Sequence, residues 1–189
     1  MVARWICHLG LVAWLVLSLA PTALADPPTA RPLRSPTDEC PSPHYDSIRA
    51  REVPWALAER AEASPRVQVA PAGLSVGGRP LLLAIVASPE NLARLDEVRA
   101  RRRAMLAALD GTPPEGALPA IAFINAGSRG NVYAGTDATM ALLRTLATDE
   151  SEATRRILDA VIVVANVTPN PDGRALGSPG NGAGLDLGR

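Results

Sequence analysis

The sequence predicts an α/β fold with a mixed, mostly parallel sheet and helices on both of its faces. Two apolar runs, residues 81–86 and 160–167, are continuous rather than alternating, which is typical of strands buried on both faces. A third apolar run, residues 120–124, is joined to the run at 160–167 by a helical pattern. A helical crossover between two strands implies that they are parallel neighbours.

The N-terminal residues have the features of a secretory signal peptide. Arg4 precedes a mostly apolar run, Pro21 breaks that run, and small residues at 23–25 suit cleavage. An uncleaved membrane anchor is the alternative, but the run is slightly short for a span. We expect a signal peptide at 1–25, a Pro-rich extended leader at 26–44, and a domain at 45–189. The expected location is secreted or periplasmic, without membrane contact after cleavage.

Composition narrows the class of protein. A chain of 189 residues, of which 47% are hydrophobic, can form one domain with a substantial core. The formal net charge of zero provides no basic surface for nucleic acid, and 3% aromatic residues argue against base stacking. Cys40 is the one cysteine after the signal segment, so no internal disulfide is expected and Cys40 is interpreted as a loop residue.

The first elements of the domain are a helix and a hairpin. The helix is predicted from Pro54, which suits a first helical turn, to residue 63, where Ser64 and Pro65 end it. Residues 66–74 alternate between apolar and polar, as a half-buried strand does. A turn at 77–80 connects this strand to the apolar run at 81–86, which predicts an antiparallel pair.

A second helix is predicted from Ser88, its N-cap, to about residue 110. Its buried stripe is expected to contain five apolar residues: Leu92, Leu95, Val98, Met105 and Leu106. Arginines at 99 and 101–103 form a basic cluster. We interpret the cluster as a solvated helix face paired with Asp96 and Glu97; a site for an anionic partner is the alternative.

The stretch at 119–135 is an apolar strand, a loop containing glycines and the start of a helix at 135–147. In α/β folds such a junction holds ligands, because backbone N–H groups at the helix start are free. Asp137, near the predicted helix start, is interpreted as a partner of the helix dipole. A short helix at 152–158, the strand at 160–167 and a turn at 169–173 follow, and residues 174–189 show no periodicity.

Three stretches in order resemble the zinc carboxypeptidase family (carboxypeptidase A-like metallopeptidases), in particular a secreted bacterial branch. The first is SPENLARLDEVRARRRAML, after a Gly-Arg-Pro turn and a buried strand. The second combines the loop at 119–135 with TMALLRTLATD and RRILDAVIVV. The third, NPDGR followed by GAGLDLGR, is similar to the family's N-P-D-G…D-L-N-R segment. The resemblance covers about residues 45–189 and implies an incomplete zinc-carboxypeptidase-like domain whose C-terminal half is missing.

The resemblance implies that the loop carries H-G-x-E or H-S-x-E, whose His and Glu bind zinc together with a later His. Carried over to this sequence, the His falls on Arg129 and the Glu on Val132. A guanidinium has no lone pair to give a cation, and valine has no ligand atom. The one histidine after the signal segment, His44, lies in the leader. Zinc is therefore the family's cofactor, but we expect no metal ligand and no bound zinc in this chain.

The D-L-N-R segment is partly retained. Asp186 and Arg189 match its Asp and Arg, Gly188 stands where the family has Asn, and a further family Arg falls near Pro179, before Asn181. The resemblance implies that Arg189 binds the terminal carboxylate of a peptide; a frayed terminal residue is the alternative.

The family's Asp in this segment supports a zinc-binding His. With an arginine in the loop instead, a buried carboxylate would need another partner. We therefore expect an ion pair between Arg129 and Asp186.

Three functions are compatible with these features. The first is a secreted metallocarboxypeptidase that removes residues from peptide C-termini, predicted to be non-catalytic in this chain and without catalytic residues. The second is a non-catalytic protein that binds peptides or cell-wall fragments through Arg189 and loop N–H groups. The third, a nucleotide binder using the glycines at 127, 130 and 135, lacks both G-K-[ST] and G-x-G-x-x-G.

Overall fold

The structure, a computed structural model, describes residues 47–108 and 116–189. The described elements are α1 (Val53–Ala63), β1 (Val67–Leu74), β2 (Pro80–Val86), α2 (Pro89–Ala93), α3 (Leu95–Ala107), β3 (Ala120–Asn125), α4 (Tyr133–Thr148), α5 (Glu152–Ala160), β4 (Val161–Asn166) and α6 (Pro171–Leu176). None of these helices is both long and apolar enough to cross a membrane. The predicted signal peptide and leader, with Cys40 and His44, lie outside the described residues.

The four strands form one mixed sheet in the order β1-β2-β4-β3. The predicted β1–β2 hairpin is confirmed, and so is the parallel pairing of β3 with β4, in which Ala120 lies opposite Val161. The β2–β4 pair is antiparallel, so one of the three described pairings is parallel and the expected mostly parallel character is wrong. β2 is therefore antiparallel to both of its neighbours, β1 through a tight turn and β4 through a pairing of segments that are far apart in the sequence.

Helices cover both faces of the sheet, as predicted. Successive side chains of β2 and β4 point to opposite faces, so each strand contributes to two cores. The core beneath α1 and α4 includes Val53, Leu57, Val67, Ala84, Val86, Met140, Leu143, Leu146, Val163 and Ala165. The core beneath α2 and α3 consists of Ile85, Ala87, Leu92, Val98 and Ile162. The two continuous apolar runs therefore fill both cores because each strand lies between two helical layers.

The predicted helix from Ser88 to about residue 110 divides into α2 and α3 at Arg94, where φ is −110° and ψ is 21°. Ser88 is the expected N-cap, and its hydroxyl oxygen accepts a hydrogen bond from the Asn91 N–H at 3.4 Å. The buried Asn91 amide donates to the carbonyl oxygens of Leu158 (3.0 Å) and Asp159 (2.8 Å). These bonds attach α2 to the α5–β4 junction, and Arg94 folds back to donate to Asn91 Oδ1.

The apolar stripe that was predicted to be buried along this helix is buried only near its N-terminal end. Leu92 and Val98 are buried, whereas Met105 is 38% exposed and Leu106 is 86% exposed. The expectation fails at these two residues because the core beneath α2 and α3 contains no residue of α3 beyond Val98.

The arginine cluster of α3 is the solvated face that the sequence indicated. Arg99 contacts Asp96 at 3.0 Å and Arg101 contacts Glu97 at 3.4 Å, both on the helix surface. Arg102 donates to the carbonyl oxygen of Pro119 and so attaches α3 to the segment before β3. Three of the four arginines therefore have partners within the fold.

β3 forms one edge of the described sheet and carries apolar residues on an open face. Ile121 is 47% exposed and Phe123 is 62% exposed. Both lie on the face of Ile162, beside the core of α2 and α3, according to the β3–β4 register. The strand has no charged residue and no proline, which are the usual protections of an edge strand.

We expect Phe123→Lys to raise the monomeric fraction of concentrated protein about twofold, because a charge on an edge strand opposes strand pairing between molecules. Size-exclusion chromatography after incubation measures this fraction. Val76→Lys is the matched control, since Val76 is also an exposed apolar residue, at 45%, but lies in the β1–β2 turn. Equal gains from the two substitutions would attribute the effect to net charge and contradict the role of the edge.

Candidate functional site

The candidate site lies after the C-terminal ends of β3 and β4, where three segments meet. They are the loop 126–132, helix α6 and the glycine-rich residues 177–189. The loop lies directly on α6: a Cβ atom at Gly130 would be 1.8 Å from the carbonyl carbon of Gly173. The buried Asn170 amide donates to the carbonyl oxygens of Ser128 (3.1 Å) and Pro179 (3.2 Å). One side chain thus holds the loop and the C-terminal segment together.

Helix α6 replaces the predicted turn at 169–173 and part of the segment expected to be aperiodic. Asn170 caps it by accepting from the Gly173 N–H at 2.9 Å, and Pro171 occupies the first turn. Gly177 ends the helix in the left-handed region, with φ at 62°. Asn-Pro-Asp followed by a later glycine is a helix start and stop signal, so the sequence did contain the information for this short helix.

Asp172 is a buried carboxylate that sequence reasoning missed, with 1% of its surface exposed. It accepts hydrogen bonds from the Ser75 hydroxyl (2.8 Å), the Gly77 N–H (2.8 Å) and Arg79 (2.6 Å). Burial raises the pKa of the Asp172 carboxyl, but these three donors outweigh it and leave the pKa below its ordinary value of 3.8. The charged Asp172 therefore fastens the β1–β2 turn onto α6.

Arg174 is the second missed residue, and its side chain is 2% exposed. Its Nε donates to the carbonyl oxygen of Ile48 at 2.9 Å, and Nη2 donates to Asp137 Oδ1 at 2.7 Å. The guanidinium also lies over the Tyr133 ring, 4.7 Å from its centroid. Arg174 therefore connects α6, the start of α4 and the segment before α1.

The interpretation of Asp137 as a helix-dipole partner is corrected by these contacts. Helix α4 begins at Tyr133, two residues before the predicted start, and its first turn contains no acidic residue. Asp137 lies beyond that turn, where the dipole effect has weakened. Its carboxylate accepts from Arg174 and from the Ile48 N–H at 3.3 Å.

The structure brings Arg129, Asp186 and Arg189 together. The Arg129 Nε lies 3.2 Å from Asp186 Oδ1, and the Arg129 Nη2 lies 3.2 Å from Asp186 Oδ2. Arg189 reaches Asp186 Oδ2 through its Nε at 3.3 Å. The Arg129 side chain is 42% exposed and that of Arg189 is 80% exposed, so two guanidinium groups share one carboxylate at the protein surface.

Asp186 is charged in this arrangement. The Gly188 N–H donates to Asp186 Oδ1 at 2.9 Å, and this bond has the largest effect on the carboxyl pKa. Burial opposes it, but Arg129 and Arg189 lower the pKa of Asp186 further, below its ordinary value. A Cβ atom at Gly188 would lie 3.1 Å from Arg129 Nε and 3.2 Å from Arg129 Cγ. The Arg129 side chain therefore lies over a position that carries no side chain.

The other residues singled out by the sequence take no part in this cluster. Val132 is 49% exposed at the start of α4. Asn181 turns its side-chain oxygen to the N–H groups of Ala183 and Leu185, both at 3.0 Å. Pro179 contributes its carbonyl oxygen to the bond with Asn170.

These side chains do not fit a zinc ion. Zinc needs lone-pair donors, commonly three from the protein, whereas Arg129 presents N–H donors and Val132 presents methyl groups. Asp186 is the available carboxylate, and two guanidinium groups already occupy it. Among residues 47–108 and 116–189, no group of three His, Cys, Asp or Glu side chains is placed to hold a metal.

A cavity of about 470 Å³ lies at the opposite end of the strands, before the start of β1 and β4. Its charged walls include Arg66, Glu150 and Arg155, and both arginines contact Glu150, at 2.7 and 3.0 Å. None of its lining residues belongs to the loop 126–132, and we place the candidate site at the loop, where the segments converge.

Comparisons with known proteins agree with this fold. A model of the zinc carboxypeptidase family matches residues 55–184. The chain is similar to a metallo-carboxypeptidase from Burkholderia cenocepacia, with 20% identity, a TM-score of 0.54, and coverage of 71% of this chain and 31% of that chain. It is also similar to a metallo-carboxypeptidase from Pseudomonas aeruginosa, solved in complex with (2-guanidinoethylmercapto)succinic acid, with 22% identity, a TM-score of 0.51, and coverage of 72% and 30%.

At these identities, the similarity to solved structures concerns the fold. The chain spans about three tenths of the length of these two proteins. No curated protein matches the chain. The family model, however, extends over more than half of the chain, from α1 to the glycine-rich C-terminal segment. The chain belongs to the zinc carboxypeptidase family.

Proposed function

We propose that this chain is a secreted or periplasmic domain of the zinc carboxypeptidase family that does not hydrolyse peptides. One observation supports the proposal most directly. In the loop where the family places a zinc-binding His, the Arg129 guanidinium lies 3.2 Å from the Asp186 carboxylate. If the correspondence that the resemblance implies holds, a cation is thereby present where a metal cation and its ligands would be needed.

The ion pair also provides a counter-charge for the Asp186 carboxylate. A carboxylate that loses a positively charged neighbour needs another one, because a partly buried unpaired charge is costly. Arg129 supplies that charge to Asp186 in this chain. Secretion is proposed from the features of residues 1–25, which resemble a cleaved signal peptide.

We expect purified protein beginning at Asp26 to contain far less than one zinc per chain after incubation with zinc and dialysis. The physical reason is that a protonated guanidinium and a valine offer no ligand atoms. Elemental analysis measures the zinc content, and release of the C-terminal residue from a chromogenic peptide measures hydrolysis.

An active metallocarboxypeptidase treated in the same way provides the positive control for both measurements. Arg129→Ala is the informative variant, because it removes the cation without adding a ligand. About one zinc per chain in the unaltered protein would overturn the proposal, and its loss in Arg129→Ala would show that the binding depends on Arg129.

A second candidate function, binding of peptides or cell-wall fragments by their carboxylate groups, is favoured by the state of Arg189. Its side chain is 80% exposed, and its Nε lies 3.3 Å from Asp186 Oδ2. A planar guanidinium with two adjacent N–H groups suits a carboxylate. Such binding needs no metal and is compatible with the proposed absence of hydrolysis.

A further inference from the structure

We propose that two copies of this chain associate through their β3 strands, which joins their two four-stranded sheets into one continuous sheet. Strand β3 is the last in the order β1-β2-β4-β3, so within the described residues no strand pairs with its outer side. Three features of the sheet support a symmetric dimer: an open edge of backbone, a strand that is complementary to its own copy, and a protected edge on the other side of the sheet. The inference does not depend on the proposed function.

The outer side of β3 carries backbone groups that can pair with another strand. The Ala126 N–H donates to the Asn166 carbonyl oxygen at 3.1 Å, so the even-numbered residues of this segment face β4. Because the backbone direction alternates along a strand, the N–H and C=O groups of Ile121 and Phe123 point to the open edge. Unpaired groups of this kind are a template for pairing with another chain.

The side chains of β3 fit a copy of the same strand. The strand, AIAFIN, has no charged residue, so antiparallel pairing about a two-fold axis places no like charges opposite each other. With the axis at Ala122, Ile121 of each chain lies opposite Phe123 of the other. A pair of an aromatic and a β-branched residue stabilises a sheet. The neighbouring symmetric registers would pair Ile121 with Asn125, or Phe123 with Pro119, which lacks an N–H.

The association also covers apolar surface. The β3–β4 register places Ile121 beside Ile162 and Phe123 beside Val164, so these exposed side chains extend the core beneath α2 and α3 beyond β4. Pairing of two strands of six residues buries less than the roughly 1,200 Å² at which standard protein interfaces begin. We therefore expect a weak dimer, with a dissociation constant on the order of 100 µM.

The opposite edge of the sheet explains why association should stop at two copies. Its outer strand, β1, contains Pro71, which has no N–H, and the register shifts between Pro71 and Gly73. Prolines and bulges are common protections of edge strands. The described sheet therefore has one unprotected edge, and a dimer that covers this edge on both copies leaves none for a further molecule.

Cysteine crosslinking tests the position of the axis. Cys40→Ser removes the one cysteine after the signal segment, and either Ala122→Cys or Ala120→Cys is then added. In the proposed register, the two Cα atoms at position 122 lie roughly 4.5 Å apart, which suits a disulfide, whereas those at position 120 lie roughly 14 Å apart. We expect the variant with Ala122→Cys to crosslink about tenfold faster than the control with Ala120→Cys.

A pair of charged substitutions tests the register. Phe123→Lys and Ile121→Glu should each give monomers at a concentration where the unaltered protein dimerises, as measured by analytical ultracentrifugation. The two variants mixed together should dimerise again, because the substituted positions lie opposite each other and the other Ile–Phe pair is retained. Trp55→Lys is the matched control, at a residue of α1 that is 86% exposed, and should leave dimerisation unchanged. Circular dichroism compares the folding of all variants.

A mass of one chain at every concentration up to about 1 mM would overturn the dimer. Equal crosslinking rates of the two cysteine variants would contradict the axis at Ala122. A mixture of Phe123→Lys and Ile121→Glu that stays monomeric would contradict the pairing of these two positions. Association that continues beyond two chains would contradict the protection of the β1 edge.

Discussion

Replacing Asp172 with asparagine is expected to destabilise the protein by about 3 kcal/mol. The neutral amide cannot accept bonds from Ser75, Gly77 and Arg79 on both of its polar atoms, and one of these donors faces an NH₂ group instead. Arg79, which is 19% exposed, loses its counter-charge. Urea unfolding followed by circular dichroism measures the change in the free energy of unfolding. A loss of this size is a large part of the stability of a typical domain.

Asp96→Asn is the matched control for Asp172→Asn. Asp96 also pairs with an arginine, but its side chain is 96% exposed, so we expect a change within about 0.5 kcal/mol. Similar losses from the two substitutions would contradict the importance of burial and of the three donors.

The pH dependence of the free energy of unfolding shows how much of the effect of Asp172 comes from its charge rather than from its shape. Its folded-state pKa lies below the ordinary value of 3.8, so its contribution to stability is fully present well above that value and is lost as pH falls through the folded-state pKa. The difference in unfolding free energy between the unaltered protein and Asp172→Asn should therefore narrow in acid. A difference that stays constant down to about pH 3 would show that the charge of Asp172 is not the cause.

Replacing Arg174 with methionine is expected to destabilise the protein by about 3–5 kcal/mol. The substitution keeps a long apolar stem but removes the donors that serve Ile48 and Asp137. The Asp137 carboxylate, with its side chain 30% exposed, is left without its positively charged partner. Thermal and urea unfolding measure the effect, and Arg155→Met, at an arginine that is 59% exposed, should change stability by less than about 1 kcal/mol.

A double substitution tests the cause. Adding Asp137→Leu to Arg174→Met removes the unpaired carboxylate, so part of the lost stability should return. The Ile48 N–H would lose its acceptor in the double variant, so we expect only partial recovery. If the double variant is as unstable as Arg174→Met or less stable, the uncompensated charge of Asp137 is not the main cause.

The elements that sequence reasoning predicted correctly depend on neighbours along the chain. The hairpin follows from an alternating strand, a Gly-Gly turn and an apolar strand, and Ser88 is a cap because its hydroxyl meets an N–H three residues later. The parallel pairing of β3 and β4 follows from the helical segment between them. In each case, the prediction depends on a pattern within one continuous stretch of the sequence.

The errors occur where distant segments determine the outcome. The helix from Ser88 divides at Arg94, next to Asn91, whose amide bonds to carbonyl groups 67 and 68 positions away. Leu106 is exposed because no strand or helix of the described chain covers that end of α3, which its periodicity cannot reveal.

The candidate site shows the same division between local and distant information. The sequence by itself determined the α/β fold class and the family, because apolar runs, turns and short motifs are local patterns, and it indicated the loop after β3 as the candidate site. It also predicted an ion pair between Arg129 and Asp186, and in the tertiary structure the two side chains lie 3.2 Å apart. Only the tertiary structure decided the roles of Asp172 and Arg174, whose partners lie 37 to 126 positions away. Burial and charge pairing arise when such distant segments pack together, and no local pattern encodes them.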